Sequence, residues 1–284
     1  MKQLINIFII LFTVNCFALT DVESSKFRDV SVKITNEKMN SGGTGSILSS
    51  SSKGSVILTN KHVCAVVEEG GRVVTPSNNY KVDAYKKFTA HDLCLVRVRE
   101  NLHQSLEVAA FSPQAPQKSF VTGHPRLMPN IITEGHFSDE LVVRILIGIR
   151  DCTAKERKAD PFVCDFLGFP STQDYHSQMV SNLIQPGKSG SAVLNADGEL
   201  SGVVFAGRGE LGFGIIVPHI HVIMFLATQN WYSWKTPNKK KPATNKETKM
   251  EKAIRECKQT KDYPSISVAN ICHLIQTDMV FRGE

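Results

Sequence analysis

Several features are scarce in these 284 residues, and each scarcity removes a class of protein. No two cysteines stand in a CxxC spacing and no two histidines in an HxxxH spacing, which argues against metal ligation. Aromatic residues make up 8% of the chain, and the one lysine-rich stretch, KTPNKKKPATNKETK, carries none. That stretch reads as a solvated linker, because a nucleic-acid groove interleaves its cations with stacking platforms. No apolar run reaches the roughly 20 residues of a membrane-spanning helix. No internal repeat is visible, and no long helical pattern interrupts the region from Lys26 to Pro218. What is present is ordinary for a folded chain: 42% hydrophobic and 21% charged residues, which excludes wholesale disorder and a multi-spanning membrane protein. The length allows one large core or two moderate ones.

The first 18 residues, MKQLINIFIILFTVNCFA, place one lysine before an apolar run from Leu4 to Phe12 that asparagines interrupt. This pattern predicts a secretory signal over residues 1–18, cleaved after Ala18. Lipid modification of Cys16 and an uncleaved anchor are the other two fates. Removal takes away only Lys2 among the charged residues, so the formal charge falls from +6 to +5. Export permits disulfides. Cys152 and Cys164 flank one short charged segment and Cys257 and Cys272 flank another, so local pairing is the simplest expectation, although spacing cannot fix connectivity.

Between Lys26 and Pro218 short apolar segments recur between turn signals: VSVKI, GTGSIL, SVILT, DLCLVRV, SFVTG, ELVVRILIGI, SAVL, ELSGVVFAG and FGIIV. Such spacing predicts an all-β sandwich or barrel pair. In DLCLVRV, Leu93, Leu95 and Arg97 fall on one face and Cys94, Val96 and Val98 on the other, so the strand is buried until Arg97 reaches an edge. NADG, Asn195 to Gly198, is a hairpin turn. HIHVIMFLATQNWYSW after Pro218 is a candidate closing helix. Residues 19–225 are expected to form the folded domain, 226–249 a basic linker, and 250–284 a small tail of two short helices separated by Pro264.

The stretch PGKSGSA, Pro186 to Ala192, offers two serines among glycines just before a strand. A serine hydroxyl is a weak nucleophile unless a neighbouring base takes its proton. Of the nine histidines, His62 in SVILTNKHVCAVV lies just beyond a buried strand, where a rigid element would hold the ring. Asp92 opens the strand in HDLCLV with apolar residues behind it, which puts a carboxylate at a barrel rim. Each of these alone has an ordinary structural explanation, a surface histidine or a strand-start cap.

Taken in order, LTNKHV, HDLCLV and PGKSGSAV resemble the trypsin-like serine peptidases, especially the HtrA and glutamyl-endopeptidase branches. GGTGSIL, VTGHPRL, IITEGHFS and FGIIVP are similar to HtrA segments in the same order, and the resemblance spans about residues 40–225. It implies two six-stranded antiparallel β-barrels, chymotrypsin-like, followed here by a short helical appendage. It implies acyl transfer without a cofactor on protein or peptide substrates: His62 the general base, Asp92 its orienting carboxylate, and Ser189 the nucleophile. The N–H groups of Gly187 and Ser189 match the oxyanion hole, and Ser191 matches a small packing position. Lys188 departs from the usual asparagine; its side chain is expected in solvent, with no catalytic role.

By the same resemblance Leu183 lies near the base of the primary pocket, and Val204, Phe205, Ala206 and Gly207 form the strand that lines substrate. No acidic residue stands at the pocket base, and no histidine stands at Val204, so a small or medium apolar side chain is expected before the scissile bond. Cys64 and Cys94, each two residues after a triad member, are expected close together, as buried thiols in preference to a bridge. The segment after Pro218 is too short for the peptide-binding PDZ domain of HtrA enzymes. Two other readings fit the same features: a trypsin-like fold that only binds peptides or partners, and an unrelated β-rich surface protein.

Overall fold

The computed structural model describes residues 21–68, 70–150, 153–159, 169–208 and 212–237. The expected signal, the Cys152/Cys164 and Cys257/Cys272 pairs and the C-terminal tail lie outside these residues.

A short helix, α1 (Asp21–Asp29), leads into the first sheet. That sheet contains β1 (Ser31–Thr35), β2 (Gly42–Ser51), β3 (Gly54–Thr59), β4 (Arg72–Val74), β5 (Asn79–Lys81), β6 (Ala84–Lys87) and β7 (Cys94–Val98). Its seven strands run in the order β5-β4-β1-β2-β3-β7-β6, one more than expected because the three-residue β5 adds to β4. Helix α2 (Lys61–Glu68) leaves the end of β3. The second sheet is a closed six-stranded barrel, β10-β13-β12-β11-β8-β9. It is built from β8 (Lys118–Gly123), β9 (Ile131–Arg150), β10 (Phe169–Val180), β11 (Ala192–Leu194), β12 (Leu200–Arg208) and β13 (Phe213–Pro218). A six-residue helix, α3 (Ala154–Ala159), lies between β9 and β10, and α4 (His219–Thr228) closes the fold after β13.

Period-two alternation sorts the side chains into cores. Leu93 and Leu95 face a cluster shared with Phe120, Phe205, Val222 and Phe225, so it joins the two sheets and α4. Cys94, Val96 and Val98 face the first sheet's own cluster with Ile34, Ile47 and Ile57. Arg97 does not reach a sheet edge, because β7 lies between β3 and β6; it is half-buried and binds Asp83 through Nε and Nη2 at 2.9 and 2.6 Å. The barrel interior holds Val121, Phe137, Val193, Val204 and Ile216. Each fully buried side chain of this size contributes about 1.5–3 kcal/mol, so the joining cluster is a large share of what keeps the halves in register.

The expected hairpin at NADG forms: Asn195 Oδ1 accepts N–H bonds from Asp197 and Glu199, and Gly198 takes φ +79° against the ring of Phe27. The closing helix also forms, burying Val222 and Phe225, with Phe225 stacked on Phe88 at 4.8 Å. Beyond it the chain returns to the first sheet. Tyr85 and Lys235 exchange backbone hydrogen bonds, and Lys86 and Arg97 lie over the Trp234 ring. Part of the segment expected as a linker is therefore packed on the domain. Among the described residues no helix is long and apolar enough to cross a membrane.

Candidate active site

His62 stands in the first turn of α2, which the buried positions Val63, Cys64 and Val67 hold against the first sheet. Asn60 fixes the start of that helix: its carbonyl accepts the Cys64 N–H, and its side-chain amide donates to the Asp92 carbonyl at 2.8 Å. Asp92, 4% exposed, lies just ahead of β7. Its carboxylate grips His62 twice, accepting the backbone N–H on Oδ1 at 3.0 Å and meeting Nδ1 on Oδ2 at 2.6 Å. Nδ1 therefore serves as donor to the carboxylate, and in the neutral ring Nε2 is the basic nitrogen. The Asp92 charge is felt by its neighbours. Tyr175 is pushed up to about 12, first by burial and then by that carboxylate. Burial lowers Lys61, with Asp92 opposing it.

A covalent link reinforces the pair. Cys64 and Cys94 form a disulfide with their Cα atoms 6.4 Å apart, which corrects the expectation of two free thiols. The pairing of Thr59 with Cys94 in the β3–β7 register brings the start of α2 beside β7, and both cysteines are fully buried there.

The PGKSGSA corner comes from the other barrel and is held by the first sheet. Thr44 in β2 donates its N–H to the Ser189 carbonyl at 2.8 Å and its hydroxyl to the Gly187 carbonyl at 2.8 Å. A side chain at Gly43 would strike both Val63, next to His62, and the Ser189 carbonyl. The corner and the His62 helix thus meet across β2, where only glycine leaves room.

The corner's backbone is almost fully engaged. The carbonyl of Gln185 accepts from Lys188 N–H, that of Pro186 from Arg126 N–H, that of Lys188 from Ser191 N–H, and that of Ser191 from Val204 N–H. The N–H of Gly190 donates to Val204 and that of Ala192 to Ser46 Oγ. Among the described residues, the N–H groups of Gly187 and Ser189 donate to none of these partners. Gly187 has φ +92°, a region that favours glycine, and a side chain there would collide with the backbone of His124 and Arg126.

The remaining predicted residues separate. Ser191 is fully buried, with an Oγ that has no hydrogen-bond partner. Val204 and Phe205 are core residues at 0% and 2% exposure, Ala206 is half-buried, and Gly207 is exposed. A bulge between Val204 and Ala206 turns Phe205 into the joining cluster, where its ring lies 6.0 Å from Tyr175. Leu183 is 45% exposed, whereas its neighbour Ile184 is buried at 3%. Ile184 is the residue that sequence reasoning missed: its side chain fills the space between Gly207 and Gly214, and a methyl at either glycine would collide with it. Glycines seven apart on β12 and β13 were the only signal available, and their facing partner lies on a separate loop. Lys188 also contradicts expectation. It is 1% exposed, not solvated, because its chain turns inward to Thr133 and Leu183.

Next to this site His91 stacks on His221 with ring centroids 3.6 Å apart. His91 is pushed down to about 4, chiefly by burial and then by the charges of His221, His176 and Lys61. No group of three or more metal-ligating side chains stands together among the described residues. What the arrangement can do chemically is proton transfer at His62 beside a serine corner with two unengaged donors.

Comparison with known proteins agrees with this fold. The trypsin-like peptidase domain model matches residues 43–203, more than half of the chain. No curated protein matches by sequence. Among solved structures, the active form of the Rv3671c protease from M. tuberculosis is similar at 17% identity and TM-score 0.56, over 78% of this chain and 86% of that one. The serine endoprotease from Yersinia pestis is similar at 19% identity and TM-score 0.52, over 72% of this chain and 64% of that one. At such identities the likeness is one of fold. The family model covers more than half of the chain and the fold agrees with it: the chain belongs to the trypsin-like peptidase family.

Proposed function

We propose that this chain is an exported serine endopeptidase in which Ser189 attacks the scissile carbonyl, His62 is the general base and Asp92 holds His62 in the correct tautomer. His62 Nε2 takes the Ser189 proton as Oγ bonds to the carbonyl carbon. The resulting imidazolium is stabilised by Asp92, which meets Nδ1 at 2.6 Å. The oxyanion is received by the N–H groups of Gly187 and Ser189. Collapse of the tetrahedral intermediate breaks the C–N bond, with His62 Nε2 returning the proton to the leaving amine. Water then repeats the sequence on the acyl-enzyme.

The observation that carries this reading is the accounting of corner hydrogen bonds: neighbouring carbonyls are engaged, while the two donors required by the chemistry are uncommitted. Each such donor, aimed at a developing oxyanion, contributes roughly 3 kcal/mol to the barrier reduction. Export rests on the amino-terminal pattern.

For specificity, the filling of the Gly207–Gly214 space by Ile184 supports a shallow apolar pocket and a small or medium apolar residue before the scissile bond. The test is cleavage of a diverse peptide library with product ends read by mass spectrometry. Wild type is expected to cut after small apolar residues, Ile184→Ala to extend cutting to larger ones, and Ser189→Ala to cut nothing. Dominant cuts after acidic or basic residues contradict the pocket assignment, and cutting by Ser189→Ala contradicts the nucleophile.

A further inference from the structure

Lys188 lies between the two residues with unengaged N–H groups, and it is among the largest fully buried side chains of the molecule. Its Nζ donates to Thr133 Oγ1 on β9 at 3.1 Å and to the Leu183 carbonyl at 3.4 Å. Both acceptors are neutral. An ammonium has three donors and one unit of charge, and no ion pair among the described residues involves this one. Burial alone pushes it down to about 8. A buried cation without a counter-charge destabilises a fold, and an apolar side chain of the same length serves packing better. Its place in the core therefore points away from stability as its purpose.

Its contacts show what it ties together. Through Nζ it binds the Leu183 carbonyl, and through its own N–H the Gln185 carbonyl at 3.0 Å. Arg126 N–H holds the intervening Pro186 carbonyl at 2.6 Å. The Pro186–Gly187 peptide is planar, so a carbonyl fixed toward Arg126 turns the Gly187 N–H the other way. Thr133 anchors the arrangement to the barrel wall.

We propose that Lys188 is a positioning residue of the oxyanion hole, its buried ammonium clamping the 183–187 loop and the β9 wall to the catalytic corner so that Gly187 and Ser189 present their N–H groups together. The inference rests on the proposed donor role of those two residues. It makes Lys188 a residue held for turnover at a cost in stability.

The test compares kcat, KM and thermal midpoint in wild type, Lys188→Met, Thr133→Val and the double variant, near pH 6.5 where the lysine is charged. Methionine keeps the length and removes the charge. Lys188→Met is expected to lower kcat about 10- to 100-fold with KM within about twofold, and to melt at or above the wild-type temperature. Thr133→Val, which alters the clamp from the barrel wall, is expected to lower kcat severalfold. The double variant is expected to be no worse than Lys188→Met alone, because both act through one contact. Lys188→Met kcat within twofold of wild type overturns the proposal, as does a kcat loss matched by a lower melting temperature. If Lys188→Met does not fold, the proposal is overturned, since the lysine is then a structural necessity; Thr133→Val with unchanged kcat overturns it independently. Absence of Ser189-dependent hydrolysis in wild type itself marks failure of the underlying functional reading, separately from the clamp.

Discussion

Ser189 and Ser191 are chemically alike and two residues apart, yet they occupy different environments. Ser189 follows a buried lysine at a corner whose backbone is pinned to Thr44, while Ser191 points its hydroxyl into a fully buried site with no partner. The difference comes from what approaches each from elsewhere in the chain. The same holds for His62 in α2, whose Nδ1 meets Asp92 from the loop ahead of β7. Asp92→Asn preserves the shape but favours the wrong tautomer of His62, so kcat is expected to fall on the order of 10⁴-fold with KM little changed. Steady-state kinetics with a cleaved peptide check this, and a loss below tenfold contradicts the orienting role.

At the scale of elements, the site depends on α2 and β7 staying side by side. Their disulfide closes a loop of 30 residues, for which the chain-entropy estimate is about 3–4 kcal/mol. The double variant Cys64→Ala/Cys94→Ala is expected to lose stability of that order in denaturant melts, and mapping of unreduced wild-type peptides is expected to find the two segments linked. Recovery of both as free thiols contradicts the bridge. Helix α4 adds a second dependence through His221, stacked on His91. Folded His91 binds its proton at about 4, against 6.5 for an ordinary histidine. The unfolded chain therefore binds more protons between those values, and stability falls as pH drops from 6.5 to 4, by on the order of 1–3 kcal/mol from this residue. His91→Phe is expected to flatten that slope in urea midpoints measured between pH 7 and 4.5. An equally steep slope contradicts the assignment.

Across the whole molecule, legibility followed distance along the chain. The strands, the hairpin at Asn195 to Gly198 and the two faces of β7 could be read because alternation and turn chemistry are local. The His, Asp and Ser segments could be read because each carries its own short motif. Three features could not. Burial of Lys188 requires Thr133 on β9 to receive it, the packing of Ile184 requires glycines on two strands away from its own loop, and the Cys64–Cys94 bridge requires the β3–β7 register. All three depend on contacts inside one sheet between residues far apart in the chain, which short sequence patterns do not encode. The serine corner, by contrast, depends on both sheets: the Thr44 N–H in β2 of the first donates to the Ser189 carbonyl of the second.

That dependence makes the central claim open to one direct measurement. Wild type, His62→Ala and Ser191→Ala are treated with a fluorophosphonate probe and the modified residue is mapped by peptide mass spectrometry. Concentration-dependent labelling is expected on Ser189 in wild type and Ser191→Ala, and to fall by orders of magnitude in His62→Ala. Labelling on Ser191, or labelling of Ser189 that is indifferent to His62, contradicts the account.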